Sequence, residues 1–254
     1  MADLWRRRAE ALLGAAKPRN AFASLRKARD LTPTDAAAHE RLYTTLLQHG
    51  ADGQALTALR EAYKKKPSSD VCEAYARLLE RRDQAPRALE ISVDWCLSGR
   101  HFAVHRDRDL VLCARLAAKT CDMGRFYQAW ERVRHDAASE TLLAFGDMAL
   151  AAHEVGIAMS AFTRVSADDL EAKKKAYAQL ARLHREAGNR GQEAMALTKL
   201  CVLEPRCAQA HRDRAVALER LGDCHKAARA RALADALEGV ASQGMTKKAE
   251  SPAR

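Results

Sequence analysis

Apolar side chains recur along this chain at helical spacing. His39, Leu42 and Leu46 form one such run, and Ala55, Leu59 and Ala62 the next. Steps of three and four residues put each run on one face of a helix. Gly and Pro punctuate the runs, so the pattern predicts many short helices joined by tight turns.

The punctuation is periodic. Pro33 and Pro67 are 34 residues apart, as are Gly188 and Gly222, while Gly124, Gly156 and Gly188 step by 32. One frame then holds seven units: 2–35, 36–68, 69–102, 110–141, 142–173, 174–207 and 208–241, with 103–109 left over as an insertion. The eighth position reads Ala9, Tyr43, Ala76, Ala117, Ala149, Ala181 and Ala215. The twentieth reads Ala21, Ala55, Ala88, Ala129, Ala161, Glu193 and Ala227. The fifteenth reads Ala16, Gly50, Asp83, Gly124, Gly156, Gly188 and Gly222. Each unit thus predicts a helix pair. Gly takes the left-handed conformation that closes the first helix, Pro stops the second, and Ala lets the two helices cross closely. A single pair cannot bury its own apolar face, so units must stack.

These residues resemble the tetratricopeptide repeat, whose unit of 34 residues carries W-x2-LG-x2-Y, then A-x3-F-x2-A, then P. Unit 1 supplies Trp5, Ala9, Leu12, Ala21, Leu25, Ala28 and Pro33, and unit 2 supplies Leu42, Leu46, Ala55, Leu59, Ala62 and Pro67. In unit 4, Gly124-Arg-Phe126-Tyr-Gln-Ala129 is similar to the family's G-D-Y-x-x-A turn. Unit 3 departs with Asp83 and Pro86, and unit 6 with Glu193 and a Gly188-Asn-Arg-Gly191 turn that reads one residue long. The resemblance covers residues 2–241. It implies an all-α, right-handed superhelical solenoid of about seven antiparallel helix pairs. First helices would line a concave face that receives an extended peptide or a partner helix. The expected organisation is repeats 1–3 over 2–102, a charged and exposed junction at 103–109, repeats 4–7 over 110–241, and a disordered tail over 242–254.

Composition agrees with the helical reading. Ala, Leu, Arg, Lys and Glu dominate the 254 residues, and these are strong helix formers. With only 5% aromatic residues, 12 Gly and 6 Pro, a sandwich or barrel lacks its turn and strand residues. No run of about 18 apolar residues occurs that would span a membrane. Seven cysteines make an odd count with no CxxC pair, which favours reduced thiols and a cytoplasmic location. The Arg-rich start contains Asp3 and Glu10, which presequences avoid.

Candidate chemistry is sparse. His105-Arg-Asp107 and His211-Arg-Asp213 spell a kinase triplet, but no Gly-rich loop, strand Lys or metal-binding Asp accompanies either. Cys201, Cys207 and His211 lie near one another without zinc-knuckle spacing. No catalytic, cofactor-binding or metal motif is found, so the expectation is a non-enzymatic protein without cofactor. Trp5, Phe145 and Tyr177 share the fourth position and are expected in the core. The net charge is +10. It is read first as solvated helix faces, and otherwise as an attraction for an acidic protein or peptide partner. An RNA-associated role is the alternative, although interleaved exposed aromatics and a reader motif are missing. Oligomeric state is not legible.

The resemblance also selects groove residues, because in that family positions 2, 5, 9 and 12 of the first helix face the concave side. In this sequence they place Arg77 of unit 3, Arg182 and Arg185 of unit 6, and Gln209 and Arg212 of unit 7 on that surface. Guanidinium groups so placed would hold a carboxylate or phosphate with two parallel hydrogen bonds. The competing expectation pairs them with Glu186, Asp213 and Glu219.

Overall fold

A computed structural model of the chain describes residues 1–32, 35–65, 67–97, 107–133 and 137–249. Among the described residues it is all α, with fourteen helices in seven antiparallel pairs. The pairs are α1 (Ala2–Gly14) with α2 (Pro18–Leu31), α3 (Ala36–Gln48) with α4 (Asp52–Lys65), and α5 (Ser69–Arg81) with α6 (Ala85–Cys96). Then come α7 (Asp107–Lys119) with α8 (Met123–Glu131), α9 (Ser139–Ala151) with α10 (Val155–Arg164), α11 (Leu170–Glu186) with α12 (Arg190–Leu203), and α13 (Ala208–Leu221) with α14 (Cys224–Ala249). The chain divides into two compact units, Met1–Val133 and Arg134–Arg254. Within each, successive helices pack on one another in order.

All seven pairs close the same way. One residue at the end of the first helix takes φ between 54° and 90°: Ala16, Gly50, Asp83, Cys121, His153, Gly188 and Gly222. Its N–H donates to the carbonyl three residues back, and the next N–H to the carbonyl five back, as in Gly188 N→Arg185 O at 3.1 Å and Asn189 N→His184 O at 2.8 Å. Two carbonyls that the helix end would leave unpaired are satisfied in each case. The second helix begins two residues after the left-handed residue every time. The Gly188–Gly191 turn is therefore of ordinary length and carries no extra residue.

The left-handed residues correct the frame in units 4 and 5. Gly124 and Gly156 do not close a first helix; they lie in the first turns of α8 and α10. The closing residues are Cys121 and His153, three positions earlier. Units 4 and 5 thus begin at Asp107 and Ser139, and their eighth positions are Ala114 and Gly146, both buried. Their twentieth positions are Phe126 and Ala158, both fully buried.

The junction is corrected too. Residues 107–109, expected in an exposed insertion, form the first turn of α7, and Asp109 is only 3% exposed. Its carboxylate accepts from Ser69 Oγ at 2.5 Å and Trp95 Nε1 at 3.2 Å, which satisfies a charge that burial alone would penalise. Arg108 pairs with Asp70 on α5. The rest of the expected insertion, 103–106, lies outside the described residues, as does Pro33. At the other end α14 continues to Ala249, so 242–249 are helical rather than the start of a disordered tail. Residues 250–254 lie outside the described ones.

Helix starts follow ordinary capping chemistry. Asp35, Ser68, Asp122 and Asp169 accept from backbone N–H groups of the first turns that follow them. Pro18 and Pro86 occupy first-turn positions where no N–H is needed. The eighth and twentieth positions are buried in every unit.

One surface network ties α5 to α7. Glu80 accepts from Arg115 Nη2 at 2.9 Å and Lys119 Nζ at 3.1 Å. Partial burial pushes its carboxyl upward, but Lys119 and Arg115 outweigh that and hold it below its ordinary 4.5. A lowered acid contributes stability above its unfolded value and loses it as pH falls through its folded value. Arg115 and Lys119 are about half exposed, which limits the contribution. Glu80→Gln is expected to cost under about 1 kcal/mol at pH 7. Urea unfolding should show that difference shrink as pH falls through the folded value of Glu80 and vanish below it; a difference that persists once the carboxyl is protonated would mean Glu80 acts through packing.

Candidate functional site

The expected groove residues lie mostly on α11 and α13. α11 runs 17 residues because Asp169 caps its start, with its carboxylate accepting from Ala172 N at 3.0 Å, and Gly188 closes its end. Ala172, Ala176, Leu180 and Leu183 bury one stripe. The opposite stripe, Lys175, Ala178, Arg182 and Arg185, is exposed. α13 repeats this arrangement with Gln209, Arg212 and Val216 exposed.

Each expected groove residue has a local partner. Arg182 Nε donates to Glu186 at 2.9 Å, and Arg185 Nε to Glu193 at 2.6 Å. Gln209 donates to Asp213 at 2.9 Å, and Arg212 pairs with Glu238 of α14. Glu219, the third acid expected to compete, pairs instead with Arg231. Arg77 lies in the Met1–Val133 unit, with Glu73 at 2.6 Å. Exposed ion pairs of this kind are worth at most about 1 kcal/mol. They leave the cations solvated and exchangeable rather than locked.

The Arg185 pair is not of that kind. Glu193 occupies the twentieth position of unit 6, where Ala was expected, and is 1% exposed. Its Oε1 receives Arg185 and also faces Arg220 Nη1 at 3.5 Å. One buried carboxylate thus joins α11, α12 and α13. It assigns Arg185 a structural duty as well as a surface position.

A second arrangement was missed in the sequence. α10, α11 and α12 enclose a pocket of about 250 Å³. Lys173, Tyr177, Leu180 and His184 descend one face of α11 into it, and Met195 and Lys199 of α12 face them. Tyr177 was expected in the core, as were Trp5 and Phe145. Phe145 is fully buried, but Tyr177 and Trp5 are only partly so. Two cations lie over each ring. Lys173 and Lys199 stand 5.2 and 5.6 Å from the Tyr177 centroid, and Arg8 and Lys27 stand 5.1 and 4.6 Å from that of Trp5. A ring face attracts a cation, which explains how an aromatic at a seam position can stay half exposed.

The pocket differs electrically from the groove face. Among the described residues no carboxylate pairs with Lys173 or Lys199. Lys173 Nζ donates to the backbone carbonyls of Thr163 and Val165, at the end of α10. Burial, and then the neighbouring charge of Lys199, hold Lys173 below its ordinary 10.5. His184 Nδ1 is buried without a hydrogen-bond partner. The signal available in the sequence was the spacing Lys173, Tyr177, Leu180, His184, one helical stripe of mixed character. Its Tyr was absorbed into the apolar column.

Of the remaining motif residues, His105 lies outside the described ones and Cys207 is half-buried. Cys201 is buried, and the His211 ring nitrogen Nε2 lies 3.1 Å from Pro205 O. Among the described residues no three metal-ligating side chains gather, and no helix is long and apolar enough to cross a membrane.

No family model and no curated protein matches the sequence. Solved structures do match the fold. A tetratricopeptide repeat protein from Parabacteroides merdae aligns over 93% of both chains at 14% identity, with a TM-score of 0.50. The C-terminal part of a TPR repeat-containing protein from Cytophaga hutchinsonii aligns over 91% of this chain and 92% of its own, at 17% identity and a TM-score of 0.53. A chain in the structure of Naa15/Naa10 bound to HypK-THB aligns over 92% of this chain but 36% of its own, at 16% identity and a TM-score of 0.53. The chain has the fold of the tetratricopeptide repeat proteins.

Proposed function

We propose that the chain is a non-enzymatic interaction scaffold that binds a segment of a partner protein along its first helices. The observation that supports this is the exposed stripe of α11 and α13. These two first helices leave the same repeat positions uncovered, and both carry cations held only by local pairs. A rigid repeated surface of this kind suits an extended or helical ligand. An acidic segment would take over Arg182 and Arg212 at small cost, because the pairs it displaces are weak.

The test replaces Arg182 and Arg212 with Ala together, leaving Arg185 to its structural duty. Helicity should be unchanged. Affinity purification from lysate, with and without nuclease, identifies the partner. The variant is expected to bind that partner about tenfold more weakly, with a flatter salt dependence. A partner set that disappears with nuclease would favour RNA association instead. Unchanged affinity would move the binding surface away from these helices.

A further inference from the structure

We propose that the pocket between α10, α11 and α12 binds a carboxylate of a partner peptide, with Lys173 and Lys199 gripping the acid and Tyr177 flooring an adjoining apolar side chain. This rests on the reading that the chain binds a partner polypeptide, but not on the arginine face. Lys173 and Arg182 are nine residues apart on α11. At about 3.6 residues per turn they point in opposite directions, about 180° apart. The pocket is therefore a separate site.

Three observations carry the proposal. The first is charge. Elsewhere in this unit Arg182, Arg185, Arg212, Arg231 and Lys226 each have a carboxylate partner. Lys173 and Lys199 converge on one ring without such a partner among the described residues. Two like charges held together repel, and an anion between them relieves the repulsion. The second is wall chemistry. Met195 is 50% exposed at the rim, and Leu180 and His184 line the wall. An apolar surface beside paired cations fits an acid next to a large apolar residue better than a bare anion. The third is size. The volume of about 250 Å³ falls below the roughly 300–1,000 Å³ of small-molecule sites, so it suits a side chain or chain end rather than a nucleotide. A single aromatic with no successive partners also lacks the stacking series of a nucleic-acid groove.

The source of the carboxylate is either a Glu side chain or a free C-terminus, and the experiment separates them. Fluorescein-labelled octapeptides on a Gly-Ser background are titrated against the full chain by fluorescence polarisation. One carries a central Leu-Glu-Phe and one the Gln counterpart. A third ends in Leu-Phe with a free carboxylate, and a fourth is its amide. Because Lys173 also caps α10, the decisive variants are Lys199→Ala and Lys199→Glu, at a position exposed to solvent. At least one acid is expected to bind about tenfold more tightly than its neutral twin, with Lys199→Ala removing most of that preference and Lys199→Glu all of it.

The proposal is overturned if neither acid outbinds its neutral twin. It is equally overturned if Lys199→Glu leaves the preference intact. Loss of binding in the Arg182→Ala, Arg212→Ala variant alone would support the arginine face and overturn the pocket. A uridine octanucleotide that binds through Lys199 more tightly than either peptide would replace the peptide with RNA.

Discussion

Gly146→Ala is expected to destabilise the Arg134–Arg254 unit by about 1–3 kcal/mol, and Gly146→Val by more. Helix propensity argues the other way, since Ala in a helix interior is favoured over Gly by about 1 kcal/mol. Packing decides the sign. A Cβ at Gly146 would lie 2.4 Å from Phe162 Cε1 and 2.6 Å from Cζ. Phe162 is itself fully buried on α10, so its ring has nowhere to go without moving the helix. α9 packs against α10, and the ring of Phe162 fills the space that a side chain at the eighth position of unit 5 would take. Urea unfolding of Gly146→Ala, alone and with Phe162→Leu, measures the clash. The two changes should compensate: Phe162→Leu costs less in the alanine background than in the wild type. A stabilised Gly146→Ala protein would show that propensity outweighs the contact.

The second large effect concerns Glu193. Removing both Arg185 and Arg220 as Ala leaves a carboxylate that is 1% exposed without its cations. Losing the partners of a buried charge costs about 3–5 kcal/mol. Removing the carboxylate instead should cost little. Glu193→Met frees two guanidinium groups that are 42% and 46% exposed and can turn to water, while an apolar side chain of similar volume fills the site. Adding Glu193→Met to the Arg185→Ala, Arg220→Ala variant should restore most of the lost stability. Chemical denaturation of the four proteins decides it. A Glu193→Met protein as unstable as the double-alanine variant would show that the network contributes net stability beyond charge compensation.

The helix-pair repeat was legible because steric demands at a crossing leave few residue choices. Ala21, Ala55, Ala88 and Ala227 report those demands directly. The phase of units 4 and 5 was misread for the same reason in reverse. A left-handed closing residue favours Gly, but the penalty for another residue is only about 1–2 kcal/mol, so Cys121 and His153 fill the role. Gly124 and Gly156 then supplied a false period three residues on. The alternative phase was encoded in Gly146, whose missing side chain means something only once Phe162 is known to lie opposite. Asp109 and Glu193 were unreadable for a similar reason. A burial partner forty residues away for Asp109, or on two neighbouring helices for Glu193, leaves no local signature. The pocket combined both problems. Its lysines look like solvated charges and its tyrosine like core until three helices are assembled around them.

The buried thiols of the Met1–Val133 unit turn the protein into its own stopwatch. Cys72, Cys96 and Cys113 are enclosed by α5, α6 and α7, and burial pushes all three thiols up, Cys113 to about 12 and the others further. At neutral pH an alkylating reagent finds almost no thiolate there while the helices stay closed. Cys121 and Cys224 stand exposed in the same molecule and react without delay. Cys201, buried on α12 of the other unit, is told apart by mapping the labelled peptides, and the lag at Cys72, Cys96 and Cys113 then times the opening of this helical segment with no probe added to the chain. A ligand that slows only the buried class would reveal that it tightens these helices, wherever on the surface it binds.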